Sequence, residues 1–244
     1  MKFKRNKMNL NILAITLARG GSKQIKNKNI VDLCGKPLIA YTIESAFRSK
    51  LISDYIVSTD DQAIAEVVAK MGVEVPFIRP AELSTDNSTS AASMLHALKF
   101  MENQKNLKYD IVVELMVTNP FKSARDIDNC INMLIDKNAD SVIAVHRVIE
   151  HHPARIKKII NGKLVDFCVK ETIESRRQDL LPHAYVRSGA IYALNRDWFV
   201  KTGNRYGSQN SYAYVLNEEK AINIDCETDL EIARFRIRKK MIND

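Results

Sequence analysis

What this chain lacks already excludes several classes of protein. Its four cysteines, Cys34, Cys130, Cys168 and Cys226, are scattered with no CxxC spacing. That pattern argues against a disulfide framework or a zinc site and for reduced thiols in the cytoplasm. No apolar run reaches the length of a bilayer span, so no membrane partner is expected. The basic start, Met1 to Asn9, runs into the first apolar strand without a separate apolar stretch or cleavage site. It reads as a tail (residues 1–10) rather than a signal peptide. The GxxxxGK(S/T) spacing of a P-loop is missing. There is no Ser/His/Asp or Cys/His order that would mark a covalent nucleophile, no internal repeat and no low-complexity segment.

One sign of charge is in excess: 37 Lys and Arg against 29 Asp and Glu give a formal net charge of +8. The excess is divided among the tail, a glycine-containing loop, Lys157-Lys158 and the last helix. No basic stripe interleaved with aromatics accompanies it. Charge spread this way suits a small anionic ligand better than a nucleic-acid footprint. A non-catalytic nucleic-acid-binding module is the rival reading, and no nucleic-acid partner is expected.

The first half alternates β-rich runs with helical stretches. Ile12 to Leu17 reads as a buried strand, followed by a helix over Leu38 to Ser49. A strand over Asp54 to Ser58 precedes a helix over Gln62 to Met71 closed by Gly72. Val73 to Ile78 reads as a strand, Ser88 to Glu102 as a helix and Ile111 to Leu115 as a strand. Ser123 to Lys137 is a predicted helix, and Ser141 to Val145 a strand. Such spacing predicts βαβ units in one α/β domain over residues 11–244, with a mostly parallel sheet. Right-handed crossovers then bring the loops Arg19–Asn29, Asp60–Asp61 and Met116–Lys122 to one edge. From Glu150 to Tyr185 the alternation fails, with a short polar strand expected around Asn161-Gly162. That stretch is too poor in apolar residues for its own core, so residues 150–186 read as an arm that packs on a second subunit. Strands are expected again over Gly189 to Asn195, Tyr212 to Leu216 and Ala221 to Ile224, then a helix from Glu227 to Met241.

The chemistry concentrates after the first strand. Leu17-Ala18-Arg19-Gly20-Gly21-Ser22-Lys23 leads to Lys26, Lys28 and Asn29. Arg19, Lys23 and Lys28 are cations for a triphosphate, the two glycines allow close backbone approach, and Ser22 adds a hydroxyl. Lys26 reads as a surface residue. Further on stand Val57-Ser58-Thr59-Asp60, Arg79-Pro80-Ala81-Glu82-Leu83, Thr85-Asp86-Asn87-Ser88-Thr89-Ser90, Thr118-x-Pro120, His151-His152-Pro153, Arg177-Gln178, Gly189-Ala190-Ile191-Tyr192 and Ile224-Asp225-x-Glu227-x-Asp229-Leu230.

In this order the motifs resemble the acylneuraminate (sialic acid-type) cytidylyltransferases over nearly the whole chain. The resemblance implies a Rossmann-like nucleotidyltransferase fold, a homodimer with its dimerisation arm at residues 150–186, Mg²⁺ as cofactor, and CTP and a keto-acid sugar as partners. Arg79 and the Thr85–Ser90 turn, Ser88 and Ser90 included, would then cradle cytosine and ribose; otherwise Asp86 or Ser88 serves only as a helix cap. Asn29 would touch ribose or phosphate. Asp225 would hold the metal, with Asp229 favouring the start of the last helix. Arg19 and Lys28 would stabilise charge as pyrophosphate leaves.

Two departures from the family pattern bear on the substrate. Asn223 stands where many relatives carry Asp, which removes a charge beside Asp225. Met116, opening Met116-Val117-Thr118-Asn119-Pro120, replaces a glutamine that faces the sugar in the family. With Thr118 nearby, that change points to a legionaminic-, pseudaminic- or octulosonate-type acceptor. Arg177 and Arg187 are candidates for its carboxylate, and Ser188 stands where relatives often have Asn. A sugar-1-phosphate nucleotidyltransferase on the same fold is the nearer rival. His151 and His152 read as arm residues near the partner's site, and His96 and His146 as structural.

Overall fold

The computed structural model describes residues 10–172 and 175–243, with side chains to residue 239. The basic tail, Leu10 apart, falls outside the described residues. In chain order the strands are β1 (Ile12–Leu17), β2 (Asp32–Leu33), β3 (Lys36–Pro37), β4 (Asp54–Ser58), β5 (Ile111–Leu115), β6 (Ser141–Val148), β7 (Lys157–Ile160), β8 (Lys163–Asp166), β9 (Ala184–Asn195) and β10 (Ser211–Val215). The helices are α1 (Leu38–Phe47), α2 (Gln62–Lys70), α3 (Ser90–Lys105), α4 (Ala124–Lys137), α5 (Arg196–Thr202) and α6 (Glu227–Asn243).

Six strands form one sheet in the order β10-β6-β9-β5-β1-β4. The pairs β1/β4, β1/β5 and β10/β6 are parallel, and β9 runs antiparallel between β5 and β6. The fold is mixed α/β with a mostly parallel central sheet, as the alternation predicted. From β1 the chain moves to β4 on one side and then returns to β5 on the other. The carboxyl end of β1 is therefore a switch point, where open α/β sheets leave a crevice for ligands.

The core explains the strand patterning. Both faces of β1 are covered, so its run is apolar throughout: Ile12 and Ala14 pack with Ile127, Ile131 and Leu134 of α4, whereas Leu13 and Ile15 pack with Met94, Leu98 and Met101 of α3. A third cluster joins α1, α2 and α6 through Ile39, Ile43, Ile64, Val68 and Leu230. Helix ends follow the expected chemistry. Asp61 caps α2 by accepting from the Ile64 N–H, and Ser123 and Asp126 form a capping box on α4.

Three predicted strands differ. Val73 to Ile78 makes only isolated bridges, Ile56 with Glu74 and Thr59 with Ile78, because Pro76 interrupts the run and has no N–H for a ladder. Ala221 to Ile224 joins no sheet; it is held by side-chain burial of Ile222 and Ile224 and by loop hydrogen bonds. Asn161-Gly162 is the turn of the β7–β8 hairpin, with both residues at positive φ (50° and 76°), the geometry an Asn-Gly pair favours. That hairpin lies within residues 150–186, and Ile159, Leu164 and Phe167 stand exposed on and beside it.

One charge is buried inside the sheet. Glu114 of β5 is 1% exposed and pairs with Arg205, whose guanidinium also lies over the Tyr192 ring. Burial pushes the Glu114 pKa up, and Arg205 opposes that shift. Replacing Arg205 by Met should cost about 3–5 kcal/mol, because the carboxylate is left buried and unpaired. A carboxyl with a raised folded-state pKa loses stability as pH rises through that pKa. The deficit of Arg205→Met in urea unfolding should therefore shrink as the pH is lowered; a deficit that grows toward acid would show that Glu114 is not the stranded charge.

Candidate active site

At the carboxyl ends of β1, β4 and β5 the chain builds three linked groups. The first is the glycine loop after β1. Arg19 Nη1 lies 2.9 Å from Asp86 Oδ1, and Lys23 Nζ 2.6 Å from Asp86 Oδ2. These two cations hold the Asp86 carboxyl below its usual range, Lys23 first. One carboxylate thus ties the proposed phosphate cations to the Thr85–Ser90 turn. Within that turn the Ser88 hydroxyl donates to Glu82 O (2.7 Å), accepts from the Thr85 N–H (3.1 Å) and contacts Thr85 Oγ1 (2.8 Å). Helix α3 is capped by Thr89, which accepts from the Ala92 N–H, and not by Asp86 or Ser88; Ser90 is the first residue of α3.

The loop is braced from below. Gly20 N–H donates to Asp60 Oδ1 (3.2 Å), and a Cβ on Gly20 would stand 2.3 Å from Asp61 Oδ2. Only glycine fits there. Asn29 is buried and donates to Arg19 O (2.8 Å), fixing the backbone of the arginine. Arg79 is 4% exposed; it reaches Ser84 Oγ (3.0 Å), Asp60 Oδ1 (3.3 Å) and Ser58 O (3.5 Å). Burial lowers its pKa and Asp60 opposes that. Its guanidinium ties β4 to Ser84, just before the Thr85–Ser90 turn. Ser22 is half-buried in the loop, and Lys23 and Lys26 are exposed.

The second group gathers residues far apart in sequence. Lys28 Nζ lies 3.1 Å from Asp225 Oδ1, with the lysine side chain 17% and the aspartate 57% exposed. Asn223 donates its amide to Asp225 Oδ2. Its Oδ1 lies against Gly189, where a Cβ would approach to 2.9 Å and where φ is +62°. Asp229 accepts from the N–H groups of Asp225 and Cys226, both at 2.9 Å, and so caps α6, the role expected of it. Among the described residues no three or more His, Cys, Asp or Glu side chains gather to hold a metal. An exposed single carboxylate with an amide beside it matches the sparse protein share of a Mg²⁺ site, where water and substrate phosphates supply the remaining ligands.

The third group is the central loop after β5. Met116 N–H donates to Ala190 O (3.1 Å), and Thr118 O accepts from the Ile224 N–H (2.8 Å). Thr118 Oγ1 is shut from solvent and makes no hydrogen bond. Lys122, which closes the predicted Met116–Lys122 loop, is 2% exposed. Its ammonium donates to Met116 O (2.6 Å), Asn119 O (2.7 Å) and Thr42 Oγ1 (2.7 Å). No local signal announces it. Glu114 was findable, since a carboxylate inside an apolar strand run requires a partner.

The remaining candidates are dispersed. Arg187 is exposed and stacks on the Tyr206 ring at 4.1 Å. Ser188 is buried and donates to Ala144 O (2.9 Å), filling the register shift between β6 and β9. Arg177 lies 3.5 Å from Glu150 and lines a small cleft with Arg147, His152, Leu180 and His183. His152 is a structural pin: its Nδ1 accepts from the Ala154 N–H (3.3 Å), so its Nε2 donates to Pro182 O (2.9 Å).

Known proteins are similar to this chain in sequence and in fold. A family model described as cytidylyltransferase matches residues 13–201. A pseudaminic acid cytidylyltransferase of Campylobacter jejuni is 33% identical over 91% of this chain and 94% of its own length. A CMP-N,N'-diacetyllegionaminic acid synthase of the same species is 32% identical over 95% and 97%. In fold, the chain is similar to a CMP:2-keto-3-deoxy-manno-octonic acid synthetase solved with CTP, at TM-score 0.67 and 17% identity, covering 94% of this chain and 99% of that one. With the family model spanning most of the sheet and the glycine loop inside it, this chain belongs to the cytidylyltransferase family.

Proposed function

We propose that the protein transfers a cytidylyl group from CTP to the anomeric hydroxyl of a nonulosonic-type keto-acid sugar, releasing pyrophosphate. The observation that carries this reading is the convergence of Arg19, Lys23 and Lys28 with Asp86 and Asp225 at the switch point of the sheet. The relatives, which by name act on pseudaminic and legionaminic acids, support the acceptor class.

In the step itself the acceptor hydroxyl gives up its proton to solvent and its oxygen forms a bond to the α-phosphorus, while the bond from that phosphorus to the bridging oxygen of the β-phosphate breaks. Negative charge grows on the departing pyrophosphate. Arg19, Lys23 and Lys28 meet it once the substrate phosphates replace their carboxylate partners, and cations carried on a loop whose backbone is already held lower the barrier by stabilising that charge. The Thr85–Ser90 turn, with Arg79 beneath it, supports base and ribose; Ser22 and Asn29 shape the phosphate loop. Asp225, assisted by Asn223, would hold Mg²⁺, which when bound neutralises phosphate charge. Met116 faces the acceptor, and Arg187 and Arg177 are its further candidate contacts; Thr118 and Ser188, whose hydroxyls are shut from solvent, shape the seat from behind rather than touch the sugar. The uncovered Ile159, Leu164 and Phe167 of the arm support a homodimer.

Pyrophosphate release from CTP, measured across a panel of keto-acids and sugar-1-phosphates, tests the function. Turnover with a keto-acid is expected; turnover confined to sugar phosphates would overturn the reading. Arg19→Ala should lower kcat/KM by about 10²–10³, whereas Lys26→Ala should change it little. Equal, mild effects would reduce the loop to a basic surface. Asp225→Ala should fold normally and lose most turnover even in saturating Mg²⁺, and Asn223→Asp should lower the Mg²⁺ concentration for half-maximal rate. Undiminished Asp225→Ala activity would remove the residue from the metal site. Met116→Gln should reorder preference among keto-acids while leaving the KM for CTP nearly unchanged. If the CTP constant moves instead, Met116 belongs to the nucleotide pocket.

A further inference from the structure

Lys122 has an environment that nothing in the nucleotide site explains. It is among the largest fully buried side chains, yet no ion pair is found for it among the described residues. All three N–H groups of its ammonium are used: on Met116 O, on Asn119 O and on Thr42 Oγ1 of α1. Burial pushes its pKa down to about 7, while the three acceptors favour the charged form, the only form with three protons to give.

The same residue is tied by its backbone. Its N–H donates to Asn119 Oδ1 (3.1 Å), and its carbonyl accepts from Ser45 Oγ of α1 (2.8 Å). Asn119, fully buried, donates its amide to Lys220 O (2.9 Å). The segment before Asp225 has no ladder of its own; the N–H of Ile224, the residue next to Asp225, donates to Thr118 O inside the loop. The loop therefore connects α1, which follows the glycine loop, to the segment that carries Asp225. One ammonium closes it.

We propose that Lys122 is a positioning residue that sets the geometry of the central loop, and through it the seat of the acceptor sugar. It touches no reacting group. By clamping the carbonyls of residues 116 and 119 onto α1 it determines where Met116 and Thr118 are presented and where the Thr118 carbonyl stands to hold the Asp225 segment. This rests on the acceptor role given to the loop above.

The test compares Lys122→Met, which keeps the volume and removes the donors, with Thr42→Val, which removes one acceptor, and Thr42→Ser, which restores it. Two measurements are made: amide hydrogen exchange across residues 116–122 and 222–225, and KM for CTP and for the best keto-acid. In Lys122→Met the Met116 and Ile224 amides should lose protection, and the keto-acid KM should rise about tenfold or more while that for CTP changes less than about twofold. Thr42→Val should move both readouts the same way by less, and Thr42→Ser should return them to wild type. Unchanged exchange at Met116 and Ile224, or an equal rise in both constants, overturns the proposal. If Lys122→Met does not fold, Thr42→Val decides on the same two outcomes. If the wild-type protein turns over no keto-acid, the acceptor reading is what has failed, and the exchange pattern alone decides whether Lys122 orders the loop.

Discussion

Every backbone polar group that leaves a sheet edge must find a partner before it is buried, and at the carboxyl end of β5 that requirement falls on one side chain. The chain turns there through Asn119 and Pro120, both buried, beneath α1. The Met116 and Asn119 carbonyls point inward, away from water, and the Lys122 ammonium satisfies both. Leaving either unmade costs about 1–3 kcal/mol. With this turn closed, Thr118 O is available to Ile224 and the Asn119 amide to Lys220. The segment that carries Asn223 and Asp225 is thus placed by a loop more than a hundred residues earlier, without entering the sheet.

Charge is buried around this edge in three ways. Lys122 is met by neutral oxygens, Glu114 by the guanidinium of Arg205, and Arg79 by Asp60 together with Ser58 O. Burying charge is expensive unless it is paired and hydrogen-bonded. Each of the three links elements that meet at the crevice: the end of β5 with α1, β5 with the loop after α5, and β4 with Ser84 before the Thr85–Ser90 turn. The exposed pairs above them, Arg19 and Lys23 with Asp86 and Lys28 with Asp225, stand on a floor of short, satisfied contacts. A ligand meets cations whose backbone is already fixed.

The fold was largely legible because local pattern and tertiary context agree for most elements. Ile12 to Leu17 and Ile111 to Leu115 are apolar because both faces of the sheet are covered, and Gly72 ends α2 at positive φ as read. Where a single residue decides, pattern misleads. Pro76 reduces an apolar run to two bridges, and Ile222 and Ile224 are buried against α1 and α6 rather than paired in a strand. The glycine loop was legible as chemistry, since its cations cluster within a few residues. Lys122 was not, because a lysine beside a helix start looks the same in sequence whether its stem points to water or to two carbonyls. The pairing of Lys28 with Asp225 spans 197 positions, and only the order of motifs suggested that the two would meet.

The carboxylates of Asp86 and Asp225 have one more effect. They occupy the loop cations with side chains the protein itself provides, so an incoming anion is not attracted to bare charge but must displace a resident one. A lone phosphate exchanges one partner for another and gains little. On the proposed reading, a triphosphate would bridge Arg19, Lys23 and Lys28 together, displacing two carboxylates with one connected ligand, and the gain from the connection would be entropic. The loop would then set a threshold for chain length, discriminating against the monophosphate and inorganic phosphate that compete for the same cations.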